Sequence, residues 1–439
     1  MMSPPQRFLA EVVLPVDVSG AVFAPGAVDV VDGEITWVGP AGEAPLVEGM
    51  DRHNVGGLIM PGLVNVHCHS PMTLFRGTGD GAPLRQWLTE IMWPREARLG
   101  ATDIAWGMRL AAAELLSYGV TTTCEMYYWS DVVADAAAEA GLRSLVTPPI
   151  GDTPGRGRFD TWEESADAVV DMVSSYAGHP LIEVGVAVHS AWTAPVEALD
   201  RAAALAAEHD LLLHIHVAES RDEDMGIRRR YGVSAPRLLA DRSVLDLDRV
   251  LAAHSVWMCD DDLDLFATHD VGVAHCPQSN AKLGSGTARL TDMIDRGIRV
   301  GLGTDGPASN DNLNLWEEMR LAPLMARTRS HDPEAVPSQL ALELATRRGA
   351  EALGRSDLGS LEVGRQADMI RLDLDQSSFV PLIETADLVS HLVWSVDSRA
   401  VTDVWVRGRQ VVADGVCLTI DVDEASNQVQ ASAMALTGE

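Results

Sequence analysis

The chain has 439 residues, of which 46% are hydrophobic and 22% charged, a composition typical of a globular protein larger than one small domain. The formal net charge of -31 at pH 7 argues against nucleic-acid and anionic-membrane partners, because like charges repel. The sequence has neither an apolar stretch of about eighteen residues nor a secretory apolar core near its start, so we expect a cytoplasmic protein.

The first sixty residues are typical of short strands broken by glycine and proline. Ala27–Val31 and Ile35–Val38 flank an Asp32-Gly33 pair, which is the pattern of a β-hairpin. The residues from 358 onward show a similar pattern of short strands and turns. The sequence therefore predicts a β-rich segment at each end of the chain.

Between these ends, apolar strand-type runs alternate about eight times with helical stretches rich in Ala and Leu. This alternation is typical of a parallel sheet and predicts the α/β class with a (β/α)8 TIM-type barrel. The predicted strands are Leu63–His69, Gly119–Met126, Leu142–Pro148, Ile182–His189, Leu211–Val217, Arg249–His254, Val271–Cys276 and Ile298–Thr304. The predicted helices include Thr102–Tyr118, Asp131–Ala140, Pro195–His209 and Leu313–Met325.

Polar residues end the predicted strands, and the C-terminal strand ends of such a barrel carry its catalytic groups. His67 and His69 end the first strand and share one face, because residues i and i+2 of a strand point the same way. His216 ends the fifth strand, and Asp305 follows the eighth. Imidazoles with a carboxylate suit zinc. The sequence therefore predicts one divalent metal ion, zinc in preference to iron or manganese, although two core histidines with ordinary hydrogen bonds would give the same pair.

The remaining strand-end residues predict chemistry around that metal. Lys282 is the only lysine and follows the seventh strand, so a lysine carbamate cannot bridge two metals and one metal ion is expected. His189, at the end of the fourth strand, is then available to contact substrate. Glu219 fits a general acid–base group, and His254 fits a hydrogen-bond donor to developing charge. We assign His275 an orienting role in its own loop.

The five cysteines include no CxxC pair, which predicts reduced thiols rather than disulfides or a thiolate metal site.

A further group of motifs resembles the amidohydrolase superfamily, in the branch with S-adenosylhomocysteine, methylthioadenosine and 5′-deoxyadenosine deaminases. This branch is related to triazine chlorohydrolases and guanine deaminases. These motifs are Met60–Asn65, Met72–Gly77, His216–Glu219, Ser279–Gly284, Gly303–Gly306, Ser309-Asn310 and Leu313–Leu315. The resemblance covers nearly the whole chain.

The resemblance implies a small β-sandwich built from residues 1–60 and 356–439, beside a catalytic barrel over residues 61–355. It also implies that Asp305 is both the fourth metal ligand and the base for the attacking water. Glu219 would then be the proton shuttle and His254 the group that polarises the ring or the tetrahedral intermediate.

The substrate-binding residues are likewise carried over from the resemblance. In the nucleoside-deaminating branch a glutamate after a Trp-Pro pair binds the ribose hydroxyls, and Trp93 and Glu96 match that pattern. His189 matches a substrate-contacting histidine. These matches favour a nucleoside as the substrate.

One departure concerns the tail of that nucleoside. The third strand of the branch commonly ends in an arginine that helps to bind an amino-acid carboxylate, whereas this chain has Pro148. Arg156 or Arg158 in the following loop would have to supply the positive charge, and Arg158 is kept as a candidate substrate-binding residue.

The sequence therefore predicts hydrolytic deamination of an adenosine-like nucleoside with release of ammonia. An alternative keeps the metal site and acts on another heterocycle or on a C–N or C–Cl bond, as in triazines, guanine, pterins, ureas or carbamates. A non-catalytic metal-binding scaffold is disfavoured, because it needs neither a proton shuttle nor a polarising histidine. The expected partners are a small-molecule substrate and further copies of the chain, without nucleic acid or membrane.

Overall fold

The computed structural model describes residues 4–152 and 157–437 as a mixed α/β protein. The strands of these residues are β1 (Gln6–Ala10), β2 (Val12–Val13), β3 (Gly26–Val31), β4 (Glu34–Pro40), β5 (Asp51–Asn54), β6 (Leu58–Pro61), β7 (Leu63–Cys68), β8 (Val120–Glu125), β9 (Arg143–Val146), β10 (Pro149–Ile150), β11 (Ile182–Val184), β12 (Val186–Ser190), β13 (Leu213–Val217), β14 (Val250–His254), β15 (Gly272–His275), β16 (Arg299–Leu302), β17 (Met369–Leu372), β18 (Val401–Val406), β19 (Arg409–Ala413) and β20 (Val416–Cys417).

The α-helices of the described residues are α1 (Leu84–Gln86), α2 (Trp93–Glu96), α3 (Ala101–Ser117), α4 (Ser130–Ala140), α5 (Trp162–Ser175), α6 (Val196–His209), α7 (Arg221–Tyr231), α8 (Ala235–Asp241), α9 (Asp260–Thr268), α10 (Pro277–Lys282), α11 (Leu290–Asp295), α12 (Leu315–Ser330), α13 (Ser338–Leu344), α14 (Arg347–Ala352), α15 (Leu388–Trp394) and α16 (Val422–Thr437). A π-helical turn, Trp87–Met92, separates α1 from α2. Short 3-10 helices cover Ala41–Glu43, Ser70–Phe75, Val244–Asp246, Ser377–Phe379, Thr385–Asp387 and Ser398–Ala400.

Two parallel sheets hold the middle of the chain, and their strands alternate with helices as the sequence predicts. One sheet has the order β11-β9-β8-β7, and the other has the order β10-β12-β13-β14-β15-β16. A parallel bridge joins Cys68, at the end of β7, to Asp305, just beyond β16. The C-terminal ends of β7, β13, β14 and β16 therefore lie close together, and these ends carry the predicted site residues.

Each predicted strand of this region overlaps an observed one, but the fourth predicted strand is divided at Gly185 into β11 and β12. A Cβ atom at Gly185 would lie 2.8 Å from the carbonyl oxygen of Leu212. The close approach of these two backbones explains why glycine occupies this position.

The two ends of the chain share one sheet. Strand β6 pairs antiparallel with β17, so that Met60 lies opposite Ile370, and the full order of this sheet is β2-β6-β17-β18-β19-β20. A second sheet has the order β4-β3-β1-β5. The predicted Asp32-Gly33 hairpin turn is confirmed, with φ angles of +50° and +87°. Buried apolar side chains of both sheets form one cluster, which includes Phe8, Val28, Val30, Ile35, Ile59, Met369 and Trp405.

The C-terminal segment differs from the strand-and-turn pattern that the sequence analysis expected, because it also contains α15 and α16. The sixteen residues of α16 include neither Gly nor Pro and are rich in Ala, which favours a helix. This helix packs on α3, and Arg98, just before α3, donates a 3.1 Å hydrogen bond to the carbonyl oxygen of Ala435. Local helix propensity and this docking together explain the difference.

Two predictions, on the cysteines and on membrane-spanning segments, concern the chain as a whole and are compared here with the described residues. The five cysteines are free thiols, as predicted, and all except Cys259 are buried. Within the described ranges, each helix is too short or too polar to pass through a bilayer.

Candidate metal centre and active site

Four side chains from three strand ends converge on one point. His67 and His69 come from the end of β7, His216 from β13, and Asp305 from the turn after β16. Asp305 Oδ1 lies 3.4 Å from His67 Nε2 and 3.3 Å from His69 Nε2. The Nε2 atoms of His69 and His216 are 3.3 Å apart. Tetrahedral ligands with bonds of about 2.0–2.1 Å lie about 3.4 Å from one another, so these separations fit one divalent metal ion.

Each histidine of this cluster is anchored through its other ring nitrogen. His69 Nδ1 donates to the carbonyl oxygen of Met126 at 2.5 Å, and His216 Nδ1 donates to that of His189 at 2.6 Å. Since Nδ1 holds the proton, Nε2 presents a lone pair to the cluster. The Nε2 atom of His67 is buried and has no hydrogen-bond partner among the described residues, as expected of an atom that binds a metal ion.

Burial sets the charge of these ligands. It lowers the pKa of His67 to about 3 and holds the pKa of His216 well below its usual range, so both rings are neutral near pH 7. Burial alone would raise the pKa of Asp305, but the neighbouring His67, His254 and His69 outweigh burial and hold that pKa well below its usual range. Neutral imidazoles and an ionised carboxylate are the states in which these groups bind zinc.

Asp305 is held in place by hydroxyl groups. Its Oδ2 atom accepts hydrogen bonds from Ser279 Oγ at 2.6 Å and from Ser309 Oγ at 2.7 Å, which leaves Oδ1 directed at the histidines. The backbone of Asp305 has a φ of +61°, an uncommon conformation for a residue other than glycine. Thr304, one residue earlier, is bound to Asn65 of β7 by two buried hydrogen bonds of 2.8 and 3.0 Å. These contacts fix the position of the carboxylate.

Glu219 and His254 lie beside the cluster. Glu219 Oε2 is 3.9 Å from His254 Nε2, and His254 Nδ1 donates to Asn280 Oδ1 at 2.9 Å. Burial, and secondarily the charge of Asp305, raises the pKa of Glu219 to about 8. Glu219 therefore carries a proton near neutral pH and can donate it, as a general acid requires.

Glu223 is a buried carboxyl group that the sequence analysis missed. It is 2% exposed, and its Oε2 atom accepts a 2.8 Å hydrogen bond from the backbone N–H of Glu219. Its own backbone N–H donates to Ser220 Oγ, the N-cap of α7. The signal was available, because Ser220 and Glu223 have the Ser-x-x-Glu spacing that is typical of a helix start. Glu223 thus fixes the backbone from which Glu219 projects.

The two carboxyl groups predict a pH dependence of stability in the metal-free protein. Burial raises the pKa of Glu219 and of Glu223 from 4.5 to about 8. Between about pH 7.5 and pH 8.5, the unfolded chain has lost protons that the folded protein still partly retains, whereas histidine, with a usual pKa of about 6.5, is already mostly neutral in both states. The free energy of unfolding should therefore fall as the pH rises through this window, as measured by urea denaturation.

The control for this prediction is a matched pair of substitutions. Glu223→Gln keeps an oxygen that accepts the N–H of Glu219 but cannot titrate, so it should make the slope shallower. Glu197→Gln, on the exposed first turn of α6, should leave the slope unchanged. Equal slopes in the wild-type protein and the Glu223→Gln variant would contradict the prediction.

A cavity opens beside the metal cluster, and titratable, aromatic and apolar side chains line it. Trp93, Glu96 and His189 line it, together with Glu219 and His254. The remaining walls are largely apolar and aromatic and include Met72, Leu84, Trp87, Leu88, Met92, Met126, Tyr127, Tyr128, Pro149 and Leu283. The cavity is therefore suited to a mostly flat, apolar molecule with a few polar anchors.

Glu96, at the end of α2, is held by a residue that the sequence analysis did not connect with it. Tyr127 Oη donates a 3.0 Å hydrogen bond to Glu96 Oε1, and both side chains are buried. His189 Nδ1 lies 2.8 Å from Thr193 Oγ1, which orients its ring.

Arg158, a further sequence candidate, lies outside this cavity lining. Arg158 forms a 2.9 Å ion pair with Asp131 and stacks on Trp129, in a neighbouring cavity that shares Tyr128 and Pro149 with the first. Arg156 lies outside the described residues.

His275 is buried and lies outside the first cavity's lining, and burial lowers its pKa to about 4. Lys282 pairs with Asp311 and donates a 3.2 Å hydrogen bond to the carbonyl oxygen of Ala308. Neither side chain is among the four that form the metal cluster.

Known proteins are similar in sequence to this chain along nearly their whole length. Residues 58–411 match the model of the amidohydrolase family. The chain is 39% identical over 419 residues to 5-methylthioadenosine/S-adenosylhomocysteine deaminase of Moorella thermoacetica, covering 94% of this chain and 96% of that protein. It is 38% identical to the protein of the same name from Pelotomaculum thermopropionicum, covering 97% of each.

Solved structures also resemble this chain along nearly its whole length. An adenosine deaminase from Xanthomonas campestris with bound zinc superposes with a TM-score of 0.94 at 31% identity and covers 99% of both chains. The zinc complex of atrazine chlorohydrolase from Arthrobacter aurescens gives a TM-score of 0.87 at 24% identity, covering 98% of this chain and 100% of that one. The second match is evidence of a shared fold alone.

Proposed function

Because the chain belongs to the amidohydrolase family, we propose that it is a metal-dependent deaminase that releases ammonia from an adenosine-like nucleoside. One observation carries the proposal: three members of the metal cluster, His69, His216 and Asp305, face one cavity together with Glu219, His254 and Glu96. The relatives named as 5-methylthioadenosine/S-adenosylhomocysteine deaminases support the nucleoside, and the zinc-bound adenosine deaminase supports zinc as the metal.

His67, His69, His216 and Asp305 would hold the metal. When bound there, a divalent metal supplies Lewis-acid chemistry, which lowers the pKa of water towards neutrality. Asp305 and Glu219 then carry out different proton transfers. Asp305 Oδ1 accepts a proton from the attacking water, while Ser279 and Ser309 hold Oδ2. Oxygen adds to the ring carbon that bears the amino group.

The remaining steps use the two groups beside the cluster. Glu219 donates its proton to the ring nitrogen next to the attacked carbon, since its raised pKa keeps it protonated near neutral pH. His254 Nε2 lies 3.9 Å from Glu219 Oε2 and, when both ring nitrogens of His254 carry protons, donates a hydrogen bond to the oxygen that gains charge. Asp305 passes the proton that it took from water to the amino group, and Glu219 takes up the proton of the added hydroxyl group. The C–N bond then breaks, ammonia leaves, and the product is an inosine analogue.

The finer features of the fold belong to the same proposal. The order of the two parallel sheets and the Cys68–Asp305 bridge support a closed (β/α)8 barrel over residues 61–355. The sheet shared by the two chain ends and the common apolar cluster support a β-sandwich over residues 1–60 and 356–439. The cytoplasmic location, the substrate contact of Arg158 and the homo-oligomer stay predictions from the sequence.

An ammonia-release screen tests the proposed function directly. The zinc-loaded protein would be incubated with adenosine, 5′-deoxyadenosine, methylthioadenosine and S-adenosylhomocysteine, and parallel reactions would contain guanine, a pterin, an aminotriazine and a urea. We expect ammonia from at least one nucleoside and an absorbance shift from adenine to hypoxanthine. Ammonia released only in the parallel reactions would mean that the substrate is another heterocycle or a urea and not a nucleoside. No ammonia from any compound would contradict the proposed deaminase activity.

A substitution at Glu96 tests the ribose contact. Glu96→Gln should raise KM for a ribonucleoside about 10- to 100-fold, because hydrogen bonds to a charged group contribute about 1.5–3 kcal/mol each. The value of kcat should change much less, since Glu96 lies away from the reacting ring. Steady-state kinetics on the best nucleoside of the screen provide the measurement.

Two controls complete this experiment. Tyr127→Phe removes the hydroxyl that orients Glu96 and should raise KM in the same direction by a smaller factor. A 2′,3′-dideoxy analogue offers no hydroxyl pair, so its KM should be similar in the wild-type protein and both variants. An unchanged KM for the ribonucleoside in Glu96→Gln would exclude the ribose contact.

A further inference from the structure

His214 is a buried histidine on β13 that has no part in the proposed reaction. It precedes the metal ligand His216 by two residues, so both side chains point to the same side of the strand. Its Nε2 atom lies 2.9 Å from Nδ1 of His67, on the side of the His67 ring that faces away from the metal cluster. His67 and His214 are both fully buried.

The contacts continue through two further strands. His214 Nδ1 lies 3.1 Å from Thr147 Oγ1, and Thr147 Oγ1 donates a 2.7 Å hydrogen bond to the backbone carbonyl oxygen of Glu125. Thr147 follows β9 and is fully buried, and Glu125 ends β8. A single line of hydrogen bonds therefore connects the metal ligand on β7 to a backbone carbonyl on β8.

That carbonyl decides the direction of every bond in the line. A carbonyl oxygen only accepts, so the one hydroxyl proton of Thr147 is used on Glu125. The oxygen of Thr147 must then accept from Nδ1–H of His214. A neutral imidazole carries one ring proton, so Nε2 of His214 has a lone pair, which accepts from Nδ1–H of His67.

Any other placement of protons on the ring nitrogens of His214 would require either a buried charge or a buried polar atom without a hydrogen-bond partner. If Nε2 of His214 carried the proton, its Nδ1 would face Thr147 without a hydrogen to share, because the hydroxyl proton is already used. If both nitrogens were protonated, His214 would be a buried cation among groups that supply no negative partner, which is costly. The observed contacts therefore leave His67 protonated on Nδ1 and unprotonated on Nε2.

We propose that Thr147 and His214 are positioning residues that set the tautomer of His67, so that its Nε2 lone pair faces the metal. The inference rests on the metal centre of the proposed function but not on its substrate. It gives His67 the same arrangement as His69 and His216, whose Nδ1 atoms donate directly to backbone carbonyls. For His67 the carbonyl is reached through two side chains.

The test is a pair of substitutions at Thr147, with zinc affinity as the readout. Thr147→Val has a similar shape but no hydroxyl, whereas Thr147→Ser keeps the hydroxyl. Zinc would be titrated into each metal-free protein in competition with a chromophoric chelator, with no substrate present. We expect Thr147→Val to bind zinc about 10- to 100-fold more weakly, the usual loss when a group behind a metal ligand is removed. Thr147→Ser should bind zinc as the wild-type protein does.

A second pair protects the test against misfolding of the valine variant. His214→Gln places an amide oxygen where it can accept Nδ1–H of His67, whereas His214→Leu offers no acceptor. Zinc affinity should be largely kept in the first variant and reduced in the second. Cys124→Ala is the control, because its thiol lies 3.6 Å from His214 Nδ1 but is outside the line of bonds; its zinc affinity should not change.

The outcomes separate this inference from the proposed function. Wild-type zinc affinity in folded Thr147→Val or His214→Leu would overturn the inference, and so would an equal loss in Thr147→Val and Thr147→Ser. Weak zinc binding by Thr147→Val in a protein that releases no ammonia from nucleosides would support the inference and reject the proposed substrate.

Discussion

Replacement of Glu219 by glutamine is expected to lower kcat for the nucleoside about 100- to 10,000-fold, the usual contribution of a general acid or base. Glutamine has nearly the same shape and can accept the same hydrogen bonds, but it cannot give up a proton to the ring nitrogen. The buried carboxyl group, with its pKa raised to about 8, is suited to that transfer at neutral pH. Stopped-time assays of ammonia release at saturating substrate measure the effect.

Two controls identify the cause of such a loss. Elemental analysis should find the same metal content in Glu219→Gln and in the wild-type protein, since Glu219 is not one of the four ligands. Glu197→Gln, an identical change on the exposed turn of α6, should retain full activity. A kcat within about tenfold of the wild-type value in fully metal-loaded Glu219→Gln would remove Glu219 from the mechanism.

Removal of the divalent metal with a chelator is the second change with a large expected effect. Activity should fall to the background rate, because the side chains around the reacting carbon cannot replace the metal as a Lewis acid. Thermal unfolding should also shift to a lower temperature, since a metal that binds only the folded protein stabilises it by about 4 kcal/mol at a thousandfold excess over its Kd. The buried, unpartnered Nε2 of His67 is consistent with such a loss of stability.

Metal replacement then identifies the ion. Zinc, iron(II) or manganese(II) should restore activity, whereas magnesium should not, because it prefers six oxygen ligands in an octahedron. The relative rates show which of the three suits the site. Full activity of a protein that elemental analysis shows to be metal-free would exclude the metal-dependent reaction.

The sequence was sufficient for the parts of this protein that follow from local periodicity. The alternation of apolar strands and helices predicted the parallel sheets, and the residues at strand ends predicted which side chains would meet. His67 and His69 could be paired because every second residue of a strand faces one way. The fact that Lys282 is the only lysine needed no structure at all.

The tertiary structure decided what depends on contacts between residues far apart in sequence. The line from His67 through His214 and Thr147 spans strands whose separation along the chain hides their proximity. The hydrogen bond between Tyr127 and Glu96 is of the same kind. No periodicity encodes such pairs, because they arise only when packing places the side chains together.

The remaining differences have the same physical origin. Glu223 carried a recognisable helix-start spacing, but only the fold shows that it is buried and bound to the backbone of Glu219. Helix α16, near the C-terminal end of the chain, was identified only in the structure, where it packs on α3. The sequence by itself determined which chemical groups this protein brings to its strand ends, and the tertiary structure determined their protonation and orientation, because burial and hydrogen-bond partners exist only in the folded chain.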